Sequence, residues 1–156
     1  MIQANLYIIS LLFTSIFFSI LFLQSGLDKI IDFRGNVNYF KTHFANSIFK
    51  KWTRSLLIII TFLECITGLL FLLAIFFYLL SQLDTYNLFA VLYAHSFLKW
   101  GLILSATTLC CLFLGQRLAK DYAGAATLIS YFLLNLLGFI ALGWVEFNLN
   151  IHDINI

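Results

Sequence analysis

The sequence predicts an all-α membrane protein: a four-transmembrane-helix bundle with a short interfacial amphipathic helix between helices 1 and 2. Three observations carry that expectation. Of 156 residues, 62% are hydrophobic and 10% charged, and the mean hydropathy is +0.98. A soluble domain has about a quarter of its residues charged, so too few polar side chains are present to clothe a water-facing surface. Four apolar runs stand out, at 6–25, 55–80, 88–114 and 122–146. A crossing helix needs about 20 residues, and each run is close to that length or longer. No run alternates apolar and polar residues as a lipid-facing barrel strand does, and proline is absent, so the crossings read as helices. The whole chain, 1–156, reads as a single four-helix domain.

The first run follows "MIQANLYIIS", which has no Lys or Arg. A secretory signal has a positive n-region and a small-residue cleavage site, so this run reads as a membrane helix. After it, Phe33, Val37, Phe40, Phe44 and Ile48 recur at spacings of three and four. That is one apolar stripe on a helix, flanked by Trp52 and basic residues. It predicts a short helix lying in the headgroup layer, against membrane lipid. The third run is longer than a crossing requires, which predicts tilt or a protruding end.

Orientation follows from the basic residues. Lys29, Arg34, Lys41, Lys50, Lys51 and Arg54 lie between runs one and two, and Arg117 and Lys120 lie in "GQRLAKD" between three and four. The N-terminus, the "SQLDTYN" connection and the C-terminal tail have none. The positive-inside rule then places the basic loops in the cytoplasm and both termini outside.

Within "LLIIITFLECITGLLFLL", residues 56 to 73, sits Glu64. A charge at mid-bilayer costs at least ~2.5–3.5 kcal/mol, so the side chain must face the bundle, find a partner or take a proton. Thr61, Glu64, Thr67 and Gly68 fall on one small, polar face of that helix. In the third run His95 and Lys99 are four apart and share a face. With runs two and three as antiparallel neighbours, Glu64 and Lys99 are expected about 8 Å apart along the axis, within reach of a Lys and a Glu stem together. Run four adds Thr127, Tyr131, Asn135 and Gly138, and run one adds Ser15 and Ser19. The expectation is a thin polar seam inside an apolar bundle, serving either as helix-packing glue or as a pocket or proton path built on Glu64, His95 and Lys99.

Other chemistries find little purchase. The net charge is +2, and no basic block with interleaved aromatics suggests nucleic acid. Cys65, Cys110 and Cys111 all lie in apolar runs with no CxxC, and read as small hydrophobes rather than a redox or metal motif. Only His95 of the three histidines lies in a run, which disfavours a haem with two His ligands. No phosphate-cradling Gly loop is present.

Three stretches carry a resemblance. "FLQSGLDKIIDF" closes run one, "LECITGLLFLL" holds the acid of run two, and "GQRLAKDYAGAATLISYFLLNLLG" opens run four. In this order and spacing the chain resembles the DoxX family of four-helix bacterial membrane proteins, through Ser25, Gly26, Lys29 and Phe33 of an S-G-x-x-K-x-x-x-F element, and through Glu64. The resemblance implies a multi-pass protein of the bacterial inner (plasma) membrane. It also implies a link to quinone-dependent sulfur oxidation, quinol oxidase complexes or redox-stress complexes, with a quinone as the implied cofactor and other membrane subunits as partners. A related branch, similar to the membrane protein MauE, is linked to disulfide chemistry. The Cys-Gly-Cys element that branch can carry is missing here, which argues against a thiol relay.

On this reading Gly26 lets the chain leave the helix or lets another helix approach. Asp28, Lys29, Arg117, Lys120 and Asp121 are expected to gather at the cytoplasmic boundary and tie runs one and four together, as an ion-pair lock or as a headgroup or quinone-ring site. The leading functional expectation is a membrane subunit associated with quinone-linked electron transfer. Glu64 would exchange the proton, Lys99 would balance its charge, and Tyr131 and Asn135 would make polar contacts in the seam. The alternative is a non-catalytic accessory or assembly subunit of a larger membrane complex. A small transporter ranks last, because beyond His95 the seam has little to line it.

Overall fold

Long apolar runs without proline leave the backbone no reason to break its own hydrogen bonds, and in lipid every such bond must be kept. The computed structural model describes the backbone of residues 2–83 and 88–154 and the side chains of residues 9–83 and 88–147. Among the described residues all regular structure is helical: α1 (Ile2–Ile31), α2 (Phe33–His43), α3 (Thr53–Leu83), α4 (Leu88–Leu118) and α5 (Tyr122–Ile154), with a 3-10 turn at Ile48–Lys51. Four stretches are long and apolar enough to cross a membrane: Ile9–Ile31, Thr53–Leu83, Leu88–Leu118 and Tyr122–Phe147. This is the make-up of a multi-pass membrane protein.

The long helices pack in the cyclic order α1, α3, α4, α5 and back to α1. Leu11, Phe18, Phe22, Phe71, Leu98, Leu102 and Leu142 fill the interior. Phe18 stacks on Phe71 across α1 and α3, ring centroids 5.2 Å apart. Outward faces carry exposed Phe13, Ile20, Phe62, Phe76 and Ile140. Lipid supplies no hydrophobic drive between crossings, so close packing must hold them together, and small residues permit it. Gly68 on α3 sits so near α1 that a Cβ there would fall 2.8 Å from the Leu23 backbone nitrogen.

Helix ends follow local chemistry. α1 does not stop near residue 25, where the first run was expected to end. Leu27, Ile30 and Ile31 carry it one and a half turns further. Asp32 then starts α2 by accepting a hydrogen bond from the Gly35 N–H at 3.0 Å. No residue of α2 is buried, while Phe44 just past its end is. At the end of α4 the Asp121 N–H donates to the Gln116 carbonyl at 2.9 Å and the Lys120 N–H to Arg117 at 3.2 Å. This is a Schellman closure, and Lys120 takes its left-handed position at φ 63°. Asp121 then caps α5 by accepting from the Gly124 N–H at 2.8 Å.

Candidate functional site

The extra length of α1 sets the site. Ser25 and Lys29 lie one helical turn apart and so on one face. Gly26 beside them lets α3 approach: a Cβ there would meet Cys65 Sγ at 2.6 Å and the Cys65 backbone nitrogen at 3.3 Å. Glu64, the residue before Cys65, is thereby brought onto the Ser25–Lys29 face.

The result is a closed triad. Lys29 Nζ lies 2.8 Å from Glu64 Oε2 and 3.1 Å from Oε1. Ser25 Oγ donates to Glu64 Oε1 at 3.0 Å and accepts from Lys29 Nζ at 2.7 Å. The ammonium also donates to the Ser25 carbonyl at 3.1 Å. The Glu64 side chain is 1% exposed and that of Lys29 11%. Taking either charge out of water is costly, and the close pairing offsets that cost, with Oε1 hydrogen-bonded by both Ser25 and Lys29 and Oε2 held by the ion pair alone. As an ammonium and a carboxylate the pair is neutral overall, and a proton added to the carboxylate would leave the positive charge of Lys29 unbalanced.

The expected pairing of Glu64 with Lys99 is overturned. The Lys99 side chain is 55% exposed and stands 3.9 Å from Glu146 Oε1 on α5. Two features separate it from Glu64. The buried line of α4 runs through Ala90, Ala94, Leu98, Gly101 and Ser105, which leaves Lys99 outside. The register of α3 on α4 is set by Thr67 against Thr108 and Phe71 beneath Gly101. It puts Lys99 roughly 15 Å from Glu64 along the bundle, nearly double the expected offset. The expected gathering of Asp28, Lys29, Arg117, Lys120 and Asp121 is overturned as well. Lys29 turns inward, Asp28 is exposed, Arg117 lies over the Tyr122 ring at 4.7 Å, and Asp121 is used as a cap. Among the described residues, the ion pairs are Lys29–Glu64 and Lys99–Glu146.

The remaining seam residues fall at separate depths. Thr61 and Gly68 are buried beside Glu64 on α3, the Thr61 hydroxyl donating back to the Leu57 carbonyl at 2.7 Å. Thr67 and Thr108 hydroxyls meet at 3.4 Å between α3 and α4. Asn135 is fully buried and donates to the Leu102 carbonyl at 3.1 Å across α5 and α4, while its Oδ1 has no partner. Ser15, Ser19 and Gly138 are also buried. Tyr131 is half-buried and packs its ring against Phe17 rather than making a polar contact, and Thr127 is exposed. His95 is buried near the other end, its ring 5.8 Å from that of Tyr78. Between Asn135 and His95 lie fully buried Phe71, Ala74, Leu98 and Leu102, an apolar layer that interrupts the seam.

Four further residues take part. Tyr78 and Glu146 flank His95 and Lys99, and His43 Nε2 pairs with Gln116 Oε1 at 2.9 Å, tying the end of α2 to that of α4. Antiparallel neighbours put Tyr78 and His95 at one depth, and that signal was available in the sequence. Among the described residues no group of three His, Cys, Asp or Glu side chains gathers to hold a metal. No family model, no curated protein and no solved structure matches the chain.

Proposed function

We propose that the chain is a DoxX-like subunit of the bacterial inner membrane, associated with quinone-linked electron transfer, in which the Lys29–Ser25–Glu64 triad exchanges a proton with the quinone headgroup. The observation that carries this reading is that two of the stretches underlying the resemblance meet in space: Ser25 and Lys29 of one close on Glu64 of the other. Lys29 takes the charge-balancing role expected of Lys99. An apolar groove between α4 and α5, about 250 Å³ and lined by Leu109, Cys110, Phe113, Leu128 and Phe132, supports the reading. By the Thr67–Thr108 register it lies at the depth of Glu64, across α4, and suits an isoprenoid tail.

In this reading α2 rests on the cytoplasmic headgroup layer. Its lack of buried residues and the exposed Ile48 and Trp52 beyond it favour that placement. The cytoplasmic assignment rests on Arg34, Lys41, Lys50, Lys51, Arg54, Arg117 and Lys120, since Lys29 is spent inside the bundle. Quinone content of the protein purified in mild detergent tests the proposal. Quinone retained by the wild type and lost from a folded Glu64→Gln variant is expected; a wild type devoid of quinone contradicts it.

A second reading, an accessory or assembly subunit, is favoured by the closure of the triad, which leaves Glu64 1% exposed. It predicts that other membrane subunits co-purify in fixed ratio and that their recovery falls in Lys29→Met. A monodisperse lone bundle would count against it.

A further inference from the structure

The end of the bundle opposite the triad holds a second polar cluster with unmet bonding capacity. Tyr78 on α3 and His95 on α4 are 3% and 7% exposed, and neither the Tyr78 hydroxyl nor His95 Nε2 has a hydrogen-bond partner. A buried polar group without a partner costs roughly 1–3 kcal/mol, so two side by side call for a reason. Glu146 on α5 supplies one, because it pairs with Lys99, which lies one helical turn from His95 on α4. That carboxylate is held only loosely, 3.9 Å from Lys99 Nζ, with 39% of the Glu146 side chain exposed.

We propose that Tyr78, His95, Lys99 and Glu146 form a proton-binding site in which Glu146 exchanges partners. In the form with its proton on Nδ1, His95 presents an Nε2 lone pair to the bundle interior. Binding of one proton there forms an N–H bond and an imidazolium. The Glu146 carboxylate leaves the Lys99 ammonium and accepts hydrogen bonds from His95 Nε2 and the Tyr78 hydroxyl. Lys99, on its flexible stem, swings its ammonium to the headgroup layer. The cluster gains one positive charge, which moves from the interior to the lipid surface as Glu146 turns inward. Among the described residues, facing groups from the other elements are few. Tyr93 of α4 is exposed, its ring tilted against that of Phe77, and α1 carries no charged residue before Asp28. The apolar layer of Phe71, Leu98 and Leu102 separates this site from the triad, so it acts independently of the quinone reading.

Histidine resonances of the full chain in lipid nanodiscs, followed against pH, test the proposal, with His95 assigned by the signal missing in His95→Phe. In the wild type the His95 signals are expected to shift as the pH is lowered and the imidazole takes up its proton. In Glu146→Gln its midpoint is expected to fall by about one pH unit, because the inward carboxylate is lost. In Lys99→Met the midpoint should rise, because Glu146 has no competing partner. Trp144, two residues from Glu146 and half-exposed, should change its fluorescence over the same interval in the wild type and not in Glu146→Gln. A His95 that stays uncharged throughout, or a midpoint unmoved in a folded Glu146→Gln, overturns the proposal.

Discussion

Gly26 and Cys65 touch across α1 and α3, and a methyl group on Gly26 would stand 2.6 Å from Cys65 Sγ. That contact sets the approach which seats Ser25 and Lys29 on Glu64. Gly26→Ala is therefore expected to destabilise the bundle by about 1–3 kcal/mol, the usual cost of overpacking. Cys65→Ala in the same chain should restore part of the loss, since the nearest clashing atom is the sulfur. Equilibrium unfolding in bicelles measures both.

Gly68 makes the harder contact. Its added Cβ meets backbone, the Leu23 nitrogen at 2.8 Å, which no side-chain truncation relieves. Gly68→Ala should cost more than Gly26→Ala, and Leu23→Ala should rescue it only weakly. Equal costs with full rescue would show that α1 and α3 are less tightly apposed.

The two lysines within the crossings are expected to differ sharply. Lys29→Met strands Glu64 as an unpaired buried charge and should cost about 3–5 kcal/mol. Lys99→Met removes a partner held only at 3.9 Å, leaves Glu146 39% exposed rather than buried, and should cost less than Lys29→Met. The same unfolding assay ranks them, and the reverse order would restore Lys99 as the important amine.

Lys120 holds a left-handed backbone at φ 63° with a side chain that disfavours it. Relief of that strain in Lys120→Gly is expected to stabilise the protein by up to about 1 kcal/mol. Its higher midpoint in thermal unfolding should appear without change in quinone content, because the turn lies away from the triad.

How far the sequence could be read depended on which signal each feature left. Four crossings are written in long apolar runs, and the small, polar face of Thr61, Glu64, Thr67 and Gly68 in helical spacing; all four residues are buried. The partner of Glu64 escapes the sequence because Lys29 lies beyond the expected end of run one. A helix that continues through Leu27, Ile30 and Ile31 turns a boundary lysine into an interior one. Axial depth measured from the middles of the expected crossings favours Lys99. Register is set instead by contacts such as Thr67 on Thr108, which spacing within one helix does not encode. The partnerless atoms of Tyr78, His95 and Asn135 were equally hidden, since satisfaction depends on neighbours from other helices.

The most direct measurement of the central claim is a double-mutant cycle between Lys29 and Glu64, using Lys29→Met and Glu64→Gln in bicelles. Each single variant is expected to lose about 3–5 kcal/mol, and the double variant less than their sum by at least about 2 kcal/mol. Losses that add within about 0.5 kcal/mol would show that the two side chains do not sense each other, contradicting the account of the triad.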